Sequence, residues 1–124
     1  MTQATETFKL VLMRHGEAED GNHDYIRKLT WKGEEQAYYM AEQYKQRNLQ
    51  FDLILASGAY RTTQTATIIR EYFDNVPQLL LSPHLYNFNW ETLQEVLALI
   101  HPNIQSILVV GHNPGISKVS NQLS

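Results

Sequence analysis

Three apolar runs in this chain each end at a residue suited to holding an anion, and that coincidence limits the folds open to it. Leu10-Val11-Leu12-Met13 delivers Arg14 and His15 side by side, and Gly16 then turns the backbone. Asp52-Leu53-Ile54-Leu55-Ala56-Ser57 leads into a segment carrying Arg61, and Ser106-Ile107-Leu108-Val109-Val110 leads into Gly111-His112. Short apolar runs bounded by polar turns read as buried strands. In open parallel sheets, ligands gather beyond the carboxyl ends of the strands. One sheet can therefore aim two guanidiniums and two imidazoles at a common point, and such a cluster suits a phosphate group.

Helical segments alternate with these strands. The first strand spans about Phe8 to Met13, and Gly16 to Tyr25 is a polar loop. Thr30 suits the N-cap of a helix reaching Gln46, with Glu34 and Glu35 near its positive end. Ala37, Met40 or Ala41, and Tyr44 give that helix a buried stripe. Leu53–Ala56 is the second strand, and a helix over Ala59–Phe73 buries Ala66, Ile69 and Phe73 before Val76-Pro77 breaks it. Leu79–Leu81 forms a third strand. Asn89 caps a helix carrying Leu93, Val96, Leu97 and Ile100, which stops before Pro102. Ile107–Val110 is the fourth strand, and Pro114 suits the first turn of a last short helix. This alternation predicts an α/β fold with a mainly parallel sheet.

Length and composition narrow the class. The 124 residues fit one domain over 1–124. There is no cysteine, which excludes disulfides and thiolate metal sites. Apolar runs are strand-sized, far below the ~20 residues of a membrane helix, and Met1–Thr7 lacks the basic and apolar regions of a signal peptide. A cytoplasmic protein is expected, with neither membrane nor nucleic acid as partner. The formal net charge of −3 repels anions mildly, so any phosphate site has to be a local cluster.

At these residues the chain resembles the histidine phosphatase superfamily, also called phosphoglycerate mutase-like. The resemblance rests on Arg14-His15-Gly16, on Ser57 followed by Arg61 and Gln64-Thr65-Ala66, and on Gly111-His112. In finer detail the chain is similar to the compact SixA-type phosphohistidine phosphatases. The matching segments are Arg27-Lys28-Leu29-Thr30-Trp31-Lys32-Gly33, Ser82-Pro83-His84-Leu85-Tyr86 and Val110-Gly111-His112-Asn113-Pro114-Gly115. The resemblance implies a three-layer α/β/α sandwich. Relative to that pattern the chain stops twelve residues after His112, so a C-terminally shortened sheet is expected.

The resemblance also implies a mechanism. His15 attacks the phosphoryl group in line, a phosphohistidine intermediate forms, and water releases phosphate. Arg14, Arg61 and His112 hold the non-bridging oxygens, with Gly16 and Asn113 also in the substrate site. No metal and no cofactor are expected. Nearby arginines and a second imidazole favour neutral His15 by charge repulsion, and the Gly16 carbonyl is a candidate to fix its tautomer.

The leaving group is less constrained. Asn87 stands where many SixA-like chains carry an acid, and Glu91, the nearest carboxylate, also reads as a first-turn helix residue. A phosphoramidate bond needs less help from a positioned acid than an ester, which favours phosphohistidine on a protein as substrate. A chain this short also leaves few residues for a lid over the site. The rival readings are a small-molecule phosphomonoesterase or mutase-like enzyme, acting on a small phosphorylated substrate, and a catalytically silent phosphate-binding module. Assembly state stays open.

Other residues carry blander expectations. Ser57 reads as a strand-to-helix cap, and Gly58-Ala59 as a looser turn than the family norm. His84 reads as a turn residue and His101 as a helix-end residue. His23 with Asp20 and Asp24 lacks a recognised metal spacing. Tyr38, Tyr39, Tyr44, Tyr72 and Phe73 serve packing, and Trp31 and Trp90 either rim a pocket or are half-buried.

Overall fold

A computed structural model of the chain describes residues 8–113 and 115–123. The apolar runs form four parallel strands: β1 (Lys9–Arg14), β2 (Leu53–Ala56), β3 (Gln78–Leu81) and β4 (Ser106–Gly111). Across the sheet their order is β1-β4-β2-β3. β4 pairs with β1 from Lys9 opposite Ser106 to Arg14 opposite Gly111, and with β2 from Leu53 opposite Ile107 to Ala56 opposite Val110. Burial follows position. Ile107 to Val110 are all fully buried, as a central strand covered on both faces requires. The sequence suggests equal burial for the three strands that lead to the polar residues. β1 instead lies at an edge, where Met13 is buried and Leu10, Val11 and Leu12 are only half-buried. β3 forms the other edge, and Leu80 and Leu81 stay exposed there.

The helices are α1 (Trp31–Gln46), α2 (Tyr60–Tyr72), α3 (Trp90–Ala98) and α4 (Gly115–Leu123). Side chains alternate across a strand, so β1, β2 and β4 each feed two cores. Ile54, Ala56, Leu108 and Val110 pack with Ala41, Tyr44, Ala66, Ile69 and Phe73 on the α1 and α2 side. Leu53, Leu55, Ile107 and Val109 pack with Leu93, Val96, Ile116 and Val119 on the α3 and α4 side. The result is the expected three-layer α/β/α sandwich. A fully buried Leu, Ile or Val contributes about 1.5–3 kcal/mol, against about 0.5–1.5 kcal/mol for a typical hydrogen bond. The two apolar layers therefore hold the strand ends in place, and the polar groups there are free for chemistry.

Local signals set the helix ends. Thr30 accepts from the Gly33 N–H at 2.9 Å and Asn89 from the Thr92 N–H at 2.8 Å, so both caps are as expected. α2 starts after Ala59 with no side-chain cap, because alanine at that position has no polar side chain to offer. Tyr38 and Tyr39, expected to pack, are exposed; Ala37, Ala41 and Tyr44 take the inward face of α1. Tyr44 and Phe73 are buried, and Tyr72 is part-buried with its hydroxyl donating to Glu42.

The polar loop after Gly16 is ordered by its own pairing. Ala18 and Leu29 form an antiparallel bridge, Glu19 N–H donates to Lys28 O at 2.8 Å, and Thr30 N–H donates to Glu17 O at 2.9 Å. One 3-10 turn, Asp24–Ile26, lies within it. Among the described residues no helix is long and apolar enough to cross a membrane. The tail of residues 1–7 and Pro114 lie outside the described residues.

Candidate active site

The β1–β4 ladder continues one residue past Arg14, since His15 N–H donates to Gly111 O at 3.0 Å. Gly16 then passes against Gly33 of α1 so closely that a Cβ on Gly16 would overlap the Gly33 carbonyl, and a Cβ on Gly33 would overlap the Glu17 carbonyl. The Arg14-His15-Gly16 segment and the segment ending in Gly33 thus meet in one backbone contact. His15 Nδ1 lies 2.6 Å from Gly16 O. A carbonyl only accepts, so Nδ1 carries the proton and Nε2 keeps a lone pair. The His15 pKa is lowered first by burial, with Arg61, Arg14 and Arg27 adding to that and the Gly16 bond opposing it. Burial, rather than the charge repulsion expected from the sequence, is the main cause.

Arg61, in the first turn of α2, is 4% exposed. Its Nη1 donates to Asp24 O at 2.6 Å and its Nη2 to Asp24 Oδ2 at 3.0 Å, while Nε is buried without a partner. Arg27 grips the same carboxylate, with Nε at 3.0 Å and Nη2 at 2.8 Å from Oδ1. Desolvation alone raises the Asp24 pKa; hydrogen bonds and charge from Arg27 and Arg61 outweigh it and the net shift is downward. α2 also holds the loop at two further points. Thr65 Oγ1 accepts from Gly16 N–H at 3.2 Å, and Gln64 Oε1 accepts from Leu29 N–H at 2.8 Å.

His112 follows β4 and is 7% exposed. Its Nε2 lies 2.7 Å from Ser57 Oγ, which lies 2.8 Å from Thr62 Oγ1. Ser57 is thus a partner of His112 rather than a helix cap. Tyr86 stacks on the His112 ring at 4.9 Å, Tyr25 stacks on Tyr86 at 5.4 Å, and His15 meets His112 edge-on at 5.3 Å. Burial, then Arg61 and His15, push the His112 pKa down to about 4. Gly58 adopts φ +95°, and a Cβ there would run into the Tyr25 hydroxyl, which donates to Ser57 O at 3.3 Å. Glycine therefore makes this turn close rather than loose.

These elements enclose a cleft of about 570 Å³. Every residue expected to bind or attack the phosphoryl group lines it: Arg14, His15, Gly16, Arg61, His112 and Asn113. Arg14 is exposed, and among the described residues no hydrogen bond or ion pair holds it. The Asn113 side-chain oxygen serves α4, accepting from Ser117 N–H at 3.1 Å and Ser117 Oγ at 2.7 Å. Asn87 lines the cleft and Glu91 does not. Neither tryptophan rims it: Trp31 projects into solvent and Trp90 packs against the α3 and α4 core. His84 and His101 are exposed and stand away from the lining.

Sequence reasoning missed Asp24, Arg27, Tyr86 and the Ser57–Thr62 pair. Arg27 and Tyr86 lay inside quoted segments without a role, and Asp24 precedes Arg27 by three residues, a spacing that favours an ion pair.

Comparison with known proteins adds the family. Residues 10–103 match the family model described as histidine phosphatase superfamily, branch 1; His112 lies beyond the matched stretch. No curated protein matches the chain. Among solved structures the chain is similar to a protein assigned as phosphohistidine phosphatase SixA from Agrobacterium tumefaciens, with 29% identity and a TM-score of 0.83 over 93% of this chain and 75% of that one. It is similar to the protein histidine phosphatase SixA complexed with tungstate, with 25% identity and a TM-score of 0.81 over 92% of this chain and 75% of the other. A third, assigned as SixA from Nakamurella multipartitia, has 29% identity and a TM-score of 0.77 over 89% of this chain, which spans 62% of its length. The shared fold is the phosphoglycerate mutase-like one. A family match over most of the chain, carried on that fold, makes this protein a member of the histidine phosphatase superfamily, branch 1.

Proposed function

We propose that this chain is a metal-independent phosphatase that works through His15 and removes phosphate from phosphohistidine on a protein. The observation that carries the reading is the 2.6 Å contact of His15 Nδ1 with Gly16 O, which leaves Nε2 as an unprotonated nucleophile in a cleft shared with Arg14, Arg61 and His112. In the first step a bond forms from Nε2 to phosphorus while the bond from phosphorus to the substrate nitrogen breaks. The substrate imidazole, already protonated on its other ring nitrogen, takes the electron pair on the nitrogen that bore phosphorus and leaves as a neutral ring. Water then attacks phosphorus, the bond to Nε2 breaks, and phosphate departs. Arg14, Arg61 and His112 hold the non-bridging oxygens, beside Gly16 and Asn113, so the protein's task is positioning and charge stabilisation.

The state of the carboxylates supports this leaving group. Asp24 is bound by two guanidiniums that hold it ionised, and the Glu17 carboxylate accepts from the Thr30 hydroxyl at 2.8 Å. Asp24 is thereby kept from donating a proton, and another candidate position is the amide Asn87. A phosphoimidazole protonated on its far nitrogen releases a neutral ring and needs no such donor. Similarity to SixA proteins, one of them complexed with the tetrahedral oxyanion tungstate, points the same way.

Kinetics on a phosphohistidine peptide and on phosphomonoesters, with one preparation, test the reading. The peptide is the expected preferred substrate by kcat/KM; preference for sugar phosphates or phosphoglycerate would overturn the protein-substrate assignment. Radiolabelled phosphate is expected to become trapped on His15 and to be absent from His15→Ala, which loses turnover. Label retained in His15→Ala sinks the mechanism.

A further inference from the structure

Ser57, Thr62 and His112 form a buried chain of contacts behind the cleft. Thr62 Oγ1 donates to Ala59 O at 2.9 Å, Ser57 Oγ lies 2.8 Å from Thr62 Oγ1, and His112 Nε2 lies 2.7 Å from Ser57 Oγ. Ala59 N–H also donates to Ser57 Oγ, at 3.4 Å, and the three contacts above need three further protons. Each hydroxyl has one and the carbonyl has none. Without a proton on Nε2, two lone pairs would face each other in the interior, where polar groups are almost always paired. The third proton therefore sits on His112 Nε2. The other ring nitrogen, Nδ1, is buried with no partner and is a bare acceptor while the ring is neutral.

We propose that Ser57 and Thr62 are positioning residues that hold His112 as the Nε2–H tautomer, so that an oxyanion binds at this ring only together with a proton taken up on Nδ1. The inference rests on the phosphatase reading for the identity of the anion. The groups facing the ring are Arg61 from α2, His15 after β1, Tyr86 stacked on it, and Asp24 and Arg27 from the loop. Burial and the cationic neighbours deliver the ring neutral at ordinary pH, with only Asp24 opposing them. A dianion beside Nδ1 reverses that balance. The proton comes from solvent, the imidazolium forms, and Nδ1–H donates to an anion oxygen.

Tungstate is a suitable probe, because near neutrality it is a dianion with no proton of its own to give. Calorimetry in buffers of different ionisation enthalpy should show proton uptake on binding. Tungstate affinity should fall about tenfold per pH unit at alkaline pH, the slope of a one-proton linkage. Nitrogen NMR of the labelled imidazoles should show His112 as Nε2–H in the free protein. In Thr62→Val the Ser57 hydroxyl loses its acceptor and turns to Nε2, so the ring should switch to Nδ1–H and the pH slope should flatten. Ser57→Ala, which deprives Nε2 of its acceptor, should flatten the same slope and serves where Thr62→Val does not fold. An Nδ1–H ring in the parent protein, a flat slope there, or a slope unchanged in both variants overturns the inference. Turnover of phosphohistidine peptide without proton uptake sinks this inference alone; uptake without turnover sinks the phosphatase reading alone.

Discussion

Arg61 bears on both imidazoles at once, since its charge lowers the pKa of His15 and of His112. In Arg61→Gln both rings lose a repelling neighbour and protonate at higher pH. In the proposed mechanism attack needs unprotonated His15, so the acid limb of the kcat/KM profile should move up towards the ordinary histidine value of about 6.5. The maximal rate should also fall by ~10³–10⁵, as for a catalytic arginine; a pH–rate series reads both, and an unmoved limb contradicts the role. Asp24→Asn keeps the shape but removes the charge that two guanidiniums share. A charge-assisted hydrogen bond is worth about 1.5–3 kcal/mol, and the half-exposed Asp24 falls at the low end, so steady-state assays should show roughly a tenfold loss in kcat/KM. Arg14, His15, Arg61 and His112 were legible in the sequence because each ends or closely follows an apolar run. The Asp24–Arg61 clasp was not, because the partners lie 37 residues apart and nothing local pairs them. The direction of the Ser57 hydroxyl was equally hidden, being fixed by a ring 55 residues away.

At the level of elements, α1 meets the turn that carries His15 backbone to backbone, through Gly33 and Gly16. Gly33→Ala inserts a methyl group against the Glu17 backbone, which cannot yield as a side-chain tip would. Overpacking of this kind costs about 1–3 kcal/mol, and urea unfolding should show it, together with a loss of activity as the His15 turn shifts. Thr30→Ala removes the α1 cap and should cost about 1 kcal/mol in the same experiment. Element boundaries were readable wherever a cap and a periodic stripe coincide, as for α1 and α3. Exposure was less so. The edge position of β1 depends on which strand inserts beside it, and an apolar run alone does not carry that information.

Across the molecule, His112 ties stability to pH. Unfolded, its ring takes a proton near 6.5; folded, near 4. Between these values the unfolded chain binds more protons, so stability is complete above about pH 6.5 and falls as pH drops towards 4. The slope reaches about 1.4 kcal/mol per pH unit. Thermal melts in buffers without oxyanions should show this loss, and His112→Gln should flatten it.

β4 lies between β1 and β2 although it follows both in the chain, and without it the sheet has no pairing between those two. During synthesis the strand before His15 and the strand before Arg61 must wait, each with an open hydrogen-bonding edge, for a late arrival to zip them together. A chain that ends before β4 therefore holds His15 without His112 and leaves two strand edges open to sticking until the missing strand slides in.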